Sequence, residues 1–177
     1  MRFIEQRLAG LVVIESDVFP DERGAITRAW MPQEFQDHGL STEIAQCLLA
    51  FNHRRGTIRG MHYQAEPARQ HKTTRVTRGA VFDVAVDLRP DSPTYCQWVG
   101  TELSADNRRA LYIPPGFAHG YQTLTDDAEV FYFVSHGYSP ADQRGVRYND
   151  PAFGIAWPLG APTMIHERDA TYADFAR

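Results

Sequence analysis

The 177-residue chain lacks the features that mark several large classes of protein. No apolar run reaches the roughly 18 residues that a membrane-spanning helix needs, and the first residues contain no apolar core of a signal peptide. Positive charge is not in excess: 18 Lys and Arg against 22 Asp and Glu give a net charge of −4. Nucleic-acid-binding proteins usually carry a basic face. We therefore expect a cytoplasmic protein that binds neither membranes nor nucleic acid.

Cysteine is also scarce, and this restricts the possible metal sites and cross-links. Cys47 and Cys96 are the two cysteines, and they form no close pair of the kind that binds zinc. They allow at most one disulfide, and we expect both to be buried free thiols. Repeats and low-complexity linkers are absent, so we predict one domain over residues 1–177.

Short β-strand patterns separated by turn residues are what the chain does contain. Such a pattern with little helix is typical of an antiparallel sandwich or barrel. The segment 80–87 is apolar at consecutive positions, which indicates a strand buried on both faces. A helix is predicted over residues 32–38, with Pro32 in its first turn and Gly39 just after its end. Strands are predicted at 11–15, 25–30, 58–64, 72–77, 80–87, 97–103, 110–113, 120–124 and 129–135, and residues 148–177 are predicted to form a coil that ends in a short helix.

Two histidines in turn-rich segments are the strongest sign of a functional site. His62 lies in the segment RGMHYQ at 59–64, and His119 lies in the segment IPPGFAHGY at 113–121. We expect both at the ends of neighbouring strands, with Lys72 nearby. Imidazole has its pKa near neutral pH, so such a group can remove a proton while a neighbouring cation stabilises the negative charge that forms.

The spacing of these segments matches, in outline, the two-part signature of the cupin superfamily. In a metal-binding cupin the first part supplies two histidines and a carboxylate, and the second part supplies one more histidine. Here Gln64 stands in place of the second histidine, and the carboxylate position falls at Ala68 or Arg69. Two imidazoles with no third ligand make a poor site for zinc or iron. We therefore predict a site without a metal.

A wider set of motifs, from residue 11 to residue 169, resembles the dTDP-4-dehydrorhamnose 3,5-epimerase family. The resemblance implies an all-β cupin jelly roll (a double-stranded β-helix with a few short helices), a homodimer and no cofactor. It also implies a nucleotide-diphosphate-linked 4-keto-6-deoxyhexose as substrate, epimerised at C3, C5 or both. The motifs are Arg23-Gly24, RGMHYQ at 59–64, Lys72, DVAVDLR at 83–89, Ser92-Pro93-Thr94, Leu103-Ser104, Asn107, PxGFAHG at 114–120, Tyr132, Tyr138, Asn149-Asp150-Pro151, Trp157-Pro158 and Arg168-Asp169.

The reaction explains which catalytic groups are needed. A ketone at C4 makes the protons on C3 and C5 acidic, because the carbanion delocalises onto the ketone oxygen as an enolate. His62 is the predicted base, and Lys72 is the predicted electrostatic partner of the enolate oxygen. The resemblance implies that Asp169 contacts the other ring nitrogen of His62, and that Tyr132 is the acid on the opposite face.

Binding of the diphosphate is predicted for two arginines, whose forked donors suit phosphate oxygens. These are Arg59 and Arg23. In the family that the chain resembles, the first strand can cross to the partner subunit. Arg23 and Phe19 are therefore expected to serve the neighbour's site.

Three further residues are predicted to contact the substrate. Tyr138 resembles the aromatic residue that stacks on the nucleotide base, and Gln46 is expected to hydrogen-bond the edge of that base. His119 is expected to orient the sugar or to support Lys72.

The remaining ionisable residues in these motifs are interpreted as structural. Asp83 and Asp87 fall on one face of the same predicted strand, and a buried carboxylate is unfavourable unless it is paired. We expect both to pair with arginine. The other histidines are expected at the surface or in packing: His38, His53, His71, His136 and His166.

Several positions depart from the family pattern and leave alternatives open. They are Arg28, Thr73-Thr74, Phe133 and His166. Thymidine, cytidine or guanosine carriers and epimerisation at C3 alone therefore stay open. Other hypotheses are a 3,4-ketoisomerase of the same fold and a nucleotide-sugar-binding cupin without turnover. A metal-dependent oxygenase is disfavoured by Gln64.

Overall fold

The computed structural model describes residues 1–176, which fold mainly into strands. No helix in this range is long and apolar enough to span a membrane. The strands are β1 Arg2–Glu5, β2 Val12–Glu15, β3 Val18–Asp21, β4 Gly24–Thr27, β5 Gln46–Asn52, β6 Thr57–Gln64, β7 Lys72–Arg78, β8 Ala80–Asp87, β9 Trp98–Ser104, β10 Arg109–Ile113, β11 Phe117–Thr123, β12 Ala128–Val134, β13 Gln143–Gly145 and β14 Met164–Ile165, and the helices are α1 Pro32–Asp37 and α2 Glu167–Ala170.

Two sheets make up the body of the protein. The first has the strand order β1-β2-β10-β7-β12-β5, and the second has the order β13-β6-β11-β8-β9, with β14 parallel to β6. β3 and β4 form a separate hairpin. Apart from β14, neighbouring strands in both sheets are antiparallel, and most of them are far apart in sequence, which is the topology of a jelly roll. The predicted all-β cupin fold is confirmed.

The main core lies between the two sheets. Its fully buried side chains include Leu103, Leu111 and Val130. Burial of one such aliphatic side chain contributes roughly 1.5–3 kcal/mol to folding. β8 is buried on both faces, as predicted, because Val84 and Val86 on its other face are covered by the C-terminal segment.

The predicted helix is confirmed and covers the outer face of the first sheet. α1 ends at Asp37. Its single buried residue, Phe35, packs edge-on against Tyr112 of β10 and also contacts Trp30. The helix therefore covers the half of this face near β2 and β10.

The other half of the outer face belongs to β5, a strand that the sequence did not predict. Leu49 is 65% exposed and Phe51 is also exposed, so the strand shows no alternation of polar and apolar residues. Cys47 lies on the same strand and is exposed, so the prediction of a buried thiol is wrong there. Cys96 is buried as predicted, and both cysteines are free.

Two glycines let β6 and β11 approach each other where the histidines lie. His62 and His119 are paired across these strands, and the register shifts between His119 and Tyr121. A Cβ atom on Gly60 would lie 2.6 Å from the Cα of Gly120, and Gly60 has a φ of +118°. Only glycine accepts both conditions easily. Paired residues point to the same face of a sheet, so both imidazoles face the interior between the sheets.

Candidate active site

A cavity of about 480 Å³ contains most of the residues predicted from the sequence. Its walls come from β5, β6, β7, β11, β12, β14 and α2. Six predicted site residues line it: Arg59, His62, Lys72, His119, Tyr132 and Asp169.

A smaller cavity of about 160 Å³ adjoins the first. The two cavities share His62, Lys72 and Tyr132. Gln46 and Tyr138 line only the smaller one. The three shared side chains therefore stand where the two cavities meet, within reach of one ligand that extends through both.

His62 is held by a buried carboxylate. Its Nε2 lies 2.8 Å from Oδ1 of Asp169, and the backbone N–H of Gly60 donates to Oδ2 of the same carboxylate at 3.1 Å. Burial raises the pKa of Asp169, but the hydrogen bonds from His62 and Gly60 outweigh it and hold the pKa below its ordinary value. Asp169 is therefore ionised and accepts a hydrogen bond from the Nε2–H of His62. This leaves Nδ1 of His62 without a proton and available to a substrate.

α2 brings Asp169 to the cavity. This helix is a single turn that begins after His166, whose side chain accepts a hydrogen bond from the backbone N–H of Arg168. Asp169 is the buried residue of the turn. The predicted contact with His62 is thus present, although these residues lie on different parts of the chain.

Lys72 belongs to a second, more deeply buried group. Its Nζ lies 3.3 Å from Nδ1 of His119, and Nε2 of His119 lies 2.8 Å from Oδ1 of Asp83. Burial lowers the pKa of Lys72 to about 8, and the charge of Asp83 opposes this effect. The amine is therefore about nine-tenths protonated at pH 7. Burial also lowers the pKa of His119, so its ring is neutral at that pH.

The expectation that Asp83 and Asp87 both pair with arginine is half correct. Asp87 pairs with Arg89 at 2.7 Å, and this contact, with hydroxyl donors, outweighs burial and lowers its pKa to about 2. Asp83 instead accepts hydrogen bonds from His119 and Thr74. The prediction is wrong for Asp83 because a strand position does not reveal which side chains lie opposite on the facing sheet.

Tyr132 completes the polar part of the cavity. Lys72 Nζ lies 5.2 Å from the centre of its ring. In the pairing of β12 with β7, Tyr132 is opposite Thr74 and Val134 is opposite Lys72, so these side chains share one face. Burial raises the pKa of Tyr132, although Arg59 opposes it. The phenol therefore keeps its proton at neutral pH and is able to act as an acid.

Two arginines add positive charge to the larger cavity. Arg59 was predicted, and its guanidinium is held by Asn52 Oδ1 at 2.7 Å and by the carbonyl of Phe51. Arg168 also lines this cavity and donates to Gln143 at 3.3 Å. No role was predicted for Arg168, although it directly precedes Asp169 in the Arg-Asp motif.

The other predicted binding residues divide into two groups. Tyr138 is exposed beside the smaller cavity, and its backbone N–H donates to Oε1 of Gln46 at 3.2 Å. Arg23 and Phe19 lie on the exposed β3–β4 hairpin and line neither cavity of their own chain. Arg23 pairs with Asp21 at 2.7 Å. The contribution of Arg23 and Phe19 to the cavity of a neighbouring subunit stays a prediction.

Gln64, which occupies the position of a cupin metal ligand, has a structural role. Its Nε2 donates to the carbonyls of Ala68 and Gly137, and its Oε1 accepts from the backbone N–H of Ser139 at 2.7 Å. The side chain therefore joins two loops beside the site. Within residues 1–176, no group of three or more His, Cys, Asp and Glu side chains is arranged to hold a metal ion.

Comparisons with known proteins agree over nearly the whole chain. A family model described as dTDP-4-dehydrorhamnose 3,5-epimerase matches residues 5–177. The dTDP-4-dehydrorhamnose 3,5-epimerase of Methanothermobacter thermautotrophicus is 44% identical over 173 residues, which cover 97% of this chain and 92% of that protein.

Solved structures of similar sequence share the fold. A crystal structure of dTDP-4-dehydrorhamnose 3,5-epimerase from Bacillus anthracis with TDP and PPi bound has a TM-score of 0.95 and 37% identity, covering 98% of this chain and 99% of that chain. A 3'-monoepimerase from Streptomyces bikiniensis in complex with dTDP-quinovose has a TM-score of 0.87 and 35% identity, covering 94% of this chain and 84% of that one.

Proposed function

The chain belongs to the dTDP-4-dehydrorhamnose 3,5-epimerase family, and we propose that its two adjoining cavities bind a dTDP-linked 4-keto-6-deoxyhexose and carry out its epimerisation. The protein is an isomerase that acts at C3, C5 or both positions of a nucleotide-linked 4-keto sugar. The observation that carries the proposed site is that His62, Lys72 and Tyr132 line both cavities.

His62 takes the proton from carbon. Asp169 accepts a hydrogen bond from the Nε2–H of His62 and so keeps the ring proton on Nε2. The lone pair on Nδ1 then attacks the hydrogen on the carbon beside the ketone. The C–H electron pair moves towards C4, and the carbonyl oxygen becomes an enolate oxygen. The imidazolium that forms is stabilised by the buried carboxylate of Asp169. A positioned base of this kind contributes roughly 10²–10⁴-fold.

Lys72 stabilises the enolate oxygen. Its ammonium group is buried between the sheets, where a fixed charge acts more strongly than in water. His119 accepts a hydrogen bond from Nζ, which restricts the directions in which the remaining N–H bonds point.

Tyr132 returns a proton to the opposite face of the same carbon. The phenol donates its proton as the enolate electrons move back, which restores the ketone with inverted configuration. The tyrosinate then recovers a proton from solvent, and the imidazolium of His62 releases its proton to solvent. Its raised pKa supports the role of acid, because the group carries the proton when the enolate forms.

The remaining residues hold the nucleotide. Arg59 and Arg168 lie in the larger cavity and suit the diphosphate, since both present guanidinium donors. Tyr138 offers a ring for the base beside Gln46 in the smaller cavity. Thymidine is the proposed carrier, because the similar structure from Bacillus anthracis has TDP bound.

A homodimer completes the proposed site. The outer face of the first sheet exposes Leu49 and Phe51, and the β3–β4 hairpin exposes Phe19 and Ile26. Exposed apolar side chains on one face of a strand, such as Leu49 and Phe51, are typical of a protein–protein contact. Pairing of two subunits through these surfaces would cover them and would carry Arg23 and Phe19 to the neighbour's cavity.

Epimerisation at C3 alone is a second candidate. The observation that favours it is the 35% identity to a 3'-monoepimerase. The two candidates use the same base and enolate and differ in whether C5 is also presented to His62.

Deuterium incorporation tests the proposal. The enzyme is incubated in D₂O with dTDP-4-keto-6-deoxyglucose, and the product is followed by ¹H NMR. Loss of the C3 and C5 proton signals supports 3,5-epimerisation, and loss at C3 alone supports the second candidate. His62→Ala should lose exchange, and Tyr132→Phe should lose turnover. His136→Ala, at an exposed histidine outside both cavities, should match the wild type. No exchange by the wild type with any 4-keto nucleotide sugar would contradict the proposed function.

A further inference from the structure

We propose that Thr74 is a positioning residue of this enzyme: its hydroxyl fixes the buried carboxylate of Asp83, which through His119 keeps Lys72 charged and correctly aimed. This inference rests on the proposed function for its kinetic consequence. The hydrogen-bonded chain itself is independent of that function. No part of the catalytic scheme above uses Thr74, which makes no contact with the cavities.

The contact crosses the interior of the jelly roll. Thr74 lies on β7 of the first sheet and is fully buried. Its Oγ1 donates to Oδ2 of Asp83, on β8 of the facing sheet, at 3.2 Å. Asp83 is also fully buried, so water cannot replace the hydroxyl as a donor without entering the core.

The hydrogen bonds form a chain with a defined direction. Lys72, as an ammonium group, can only donate, so Nδ1 of His119 must accept. The proton of the neutral ring is then on Nε2, which donates to Oδ1 of Asp83. Thr74 donates to the other oxygen, so both carboxylate oxygens are occupied. The chain therefore runs from the ammonium group through the imidazole to a carboxylate that is held from two sides.

The charges around Lys72 make Asp83 important. Asp83 raises the pKa of Lys72, while burial lowers it. The ionisable groups that face the lysine or line the larger cavity come from every neighbouring element: Arg59 and His62 on β6, Asp83 on β8, His119 and Tyr121 on β11, Tyr132 on β12, His166 just before α2, and Arg168 and Asp169 on α2. Of the two carboxylates, Asp169 is engaged with His62, so Asp83 is the counter-charge of the lysine.

Removal of the hydroxyl should therefore act on Lys72 at a distance. In Thr74→Val, Oδ2 of Asp83 loses its donor inside the core, so the carboxylate is no longer held on the side away from His119. The charge of Asp83 would then act less strongly on Lys72, which would release its proton at lower pH. We expect the alkaline limb of kcat/KM to move down by about one pH unit, with about a fivefold loss at pH 8 and about a 1.3-fold loss at pH 6.5.

The chain offers a matched control one residue away. Thr73 is buried on the same strand, points to the opposite face, and its Oγ1 has no hydrogen-bond partner among the described residues. Thr73→Val makes the same chemical change at a similar depth. It should leave the pH profile unchanged, and Thr74→Ser, which restores the hydroxyl, should return the alkaline limb to the wild-type position.

Two measurements separate this proposal from the proposed function. The first is the pH dependence of kcat/KM for the wild type, Thr74→Val, Thr74→Ser and Thr73→Val, with thermal unfolding to confirm that each variant is folded. The second is an NMR titration of the Lys72 side chain in the same proteins without substrate, together with the ¹⁵N shifts of His119.

The expected result is a lower titration midpoint of Lys72 in Thr74→Val alone. Identical midpoints in the wild type and in Thr74→Val would overturn the proposal, even if the enzyme is an active epimerase. A lowered midpoint in a protein that exchanges no deuterium would support the role of Thr74 and contradict the proposed function. If Thr74→Val does not fold, the titration of Thr74→Ala decides by the same criterion.

Discussion

Two histidine–aspartate pairs lie in the same site and differ mainly in depth. His62 with Asp169 and His119 with Asp83 both have N–O distances of 2.8 Å. The side chain of His62 is 27% exposed, whereas that of His119 is 8% exposed and has Lys72 on its remaining nitrogen. The first pair therefore offers a free nitrogen to substrate, and the second offers its nitrogen to a lysine.

We infer from this difference that the same two residue types serve different purposes according to what the second ring nitrogen faces. A nitrogen that faces a cavity can act as a base. A nitrogen that faces an ammonium group can only accept a hydrogen bond from it. Substitutions in each pair test this division of roles.

The largest effect is expected at the exposed pair. Asp169→Asn should reduce kcat by about 10³–10⁴-fold, because an amide no longer requires the proton of His62 on Nε2 and does not stabilise the imidazolium. Steady-state turnover of dTDP-4-keto-6-deoxyglucose measures this loss. A reduction smaller than tenfold in a folded variant would mean that Asp169 does not orient the base.

A smaller effect, with a change in pH dependence, is expected at the buried pair. Asp83→Asn should reduce kcat/KM by about 10–100-fold at pH 8 and by less at pH 6.5, because the counter-charge of Lys72 is removed. Kinetics at both pH values measure the difference. An equal loss at the two pH values would show that Asp83 does not support the charge of Lys72.

The wild-type pH profile should show the state of Lys72. Its pKa of about 8 predicts that activity declines as the pH rises through 8, since the ammonium form is lost, by about tenfold for each further unit. Lys72→Arg keeps the charge at all these pH values. The alkaline limb should therefore be absent in this variant, even if its maximal rate is lower. If the alkaline limb persists unchanged in Lys72→Arg, the decline in activity arises from another ionisable group.

The smallest effect on catalysis is expected for a third buried carboxylate that has no histidine partner. Asp87 accepts from Arg89, Ser92 and Thr94. Asp87→Asn should lower the free energy of unfolding by about 1–3 kcal/mol and change kcat by less than twofold. Denaturant unfolding and turnover measure the two quantities, and a large loss of turnover would show that Asp87 belongs to the catalytic group.

The sequence predicted the parts of the site that depend on local patterns. The segments around His62 and His119 were recognisable because glycines and prolines mark the ends of their strands. Asp169 and Tyr132 were placed only through the family resemblance, since no local pattern connects them to His62. Most of the fold was predictable for the same local reason. The strands that were not predicted are β1, β3, β5, β13 and β14, of which the exposed edge strand β5 is the longest.

The rest could not be predicted because it depends on contacts between the two sheets. Thr74 and Asp83 lie on strands of opposite sheets, and nothing in either strand reveals that their side chains meet. Arg168 enters the cavity because the single turn of α2 packs against β6, and that packing is a property of the folded chain.

The most direct test compares deuterium incorporation by His62→Ala and His119→Gln from pH 6 to pH 9. The division of roles predicts no incorporation at any pH for His62→Ala. For His119→Gln it predicts incorporation below the wild-type rate, and the incorporation that remains should be highest at low pH. Incorporation by His62→Ala at the wild-type rate, or its complete loss at every pH in a folded His119→Gln variant, would contradict the account.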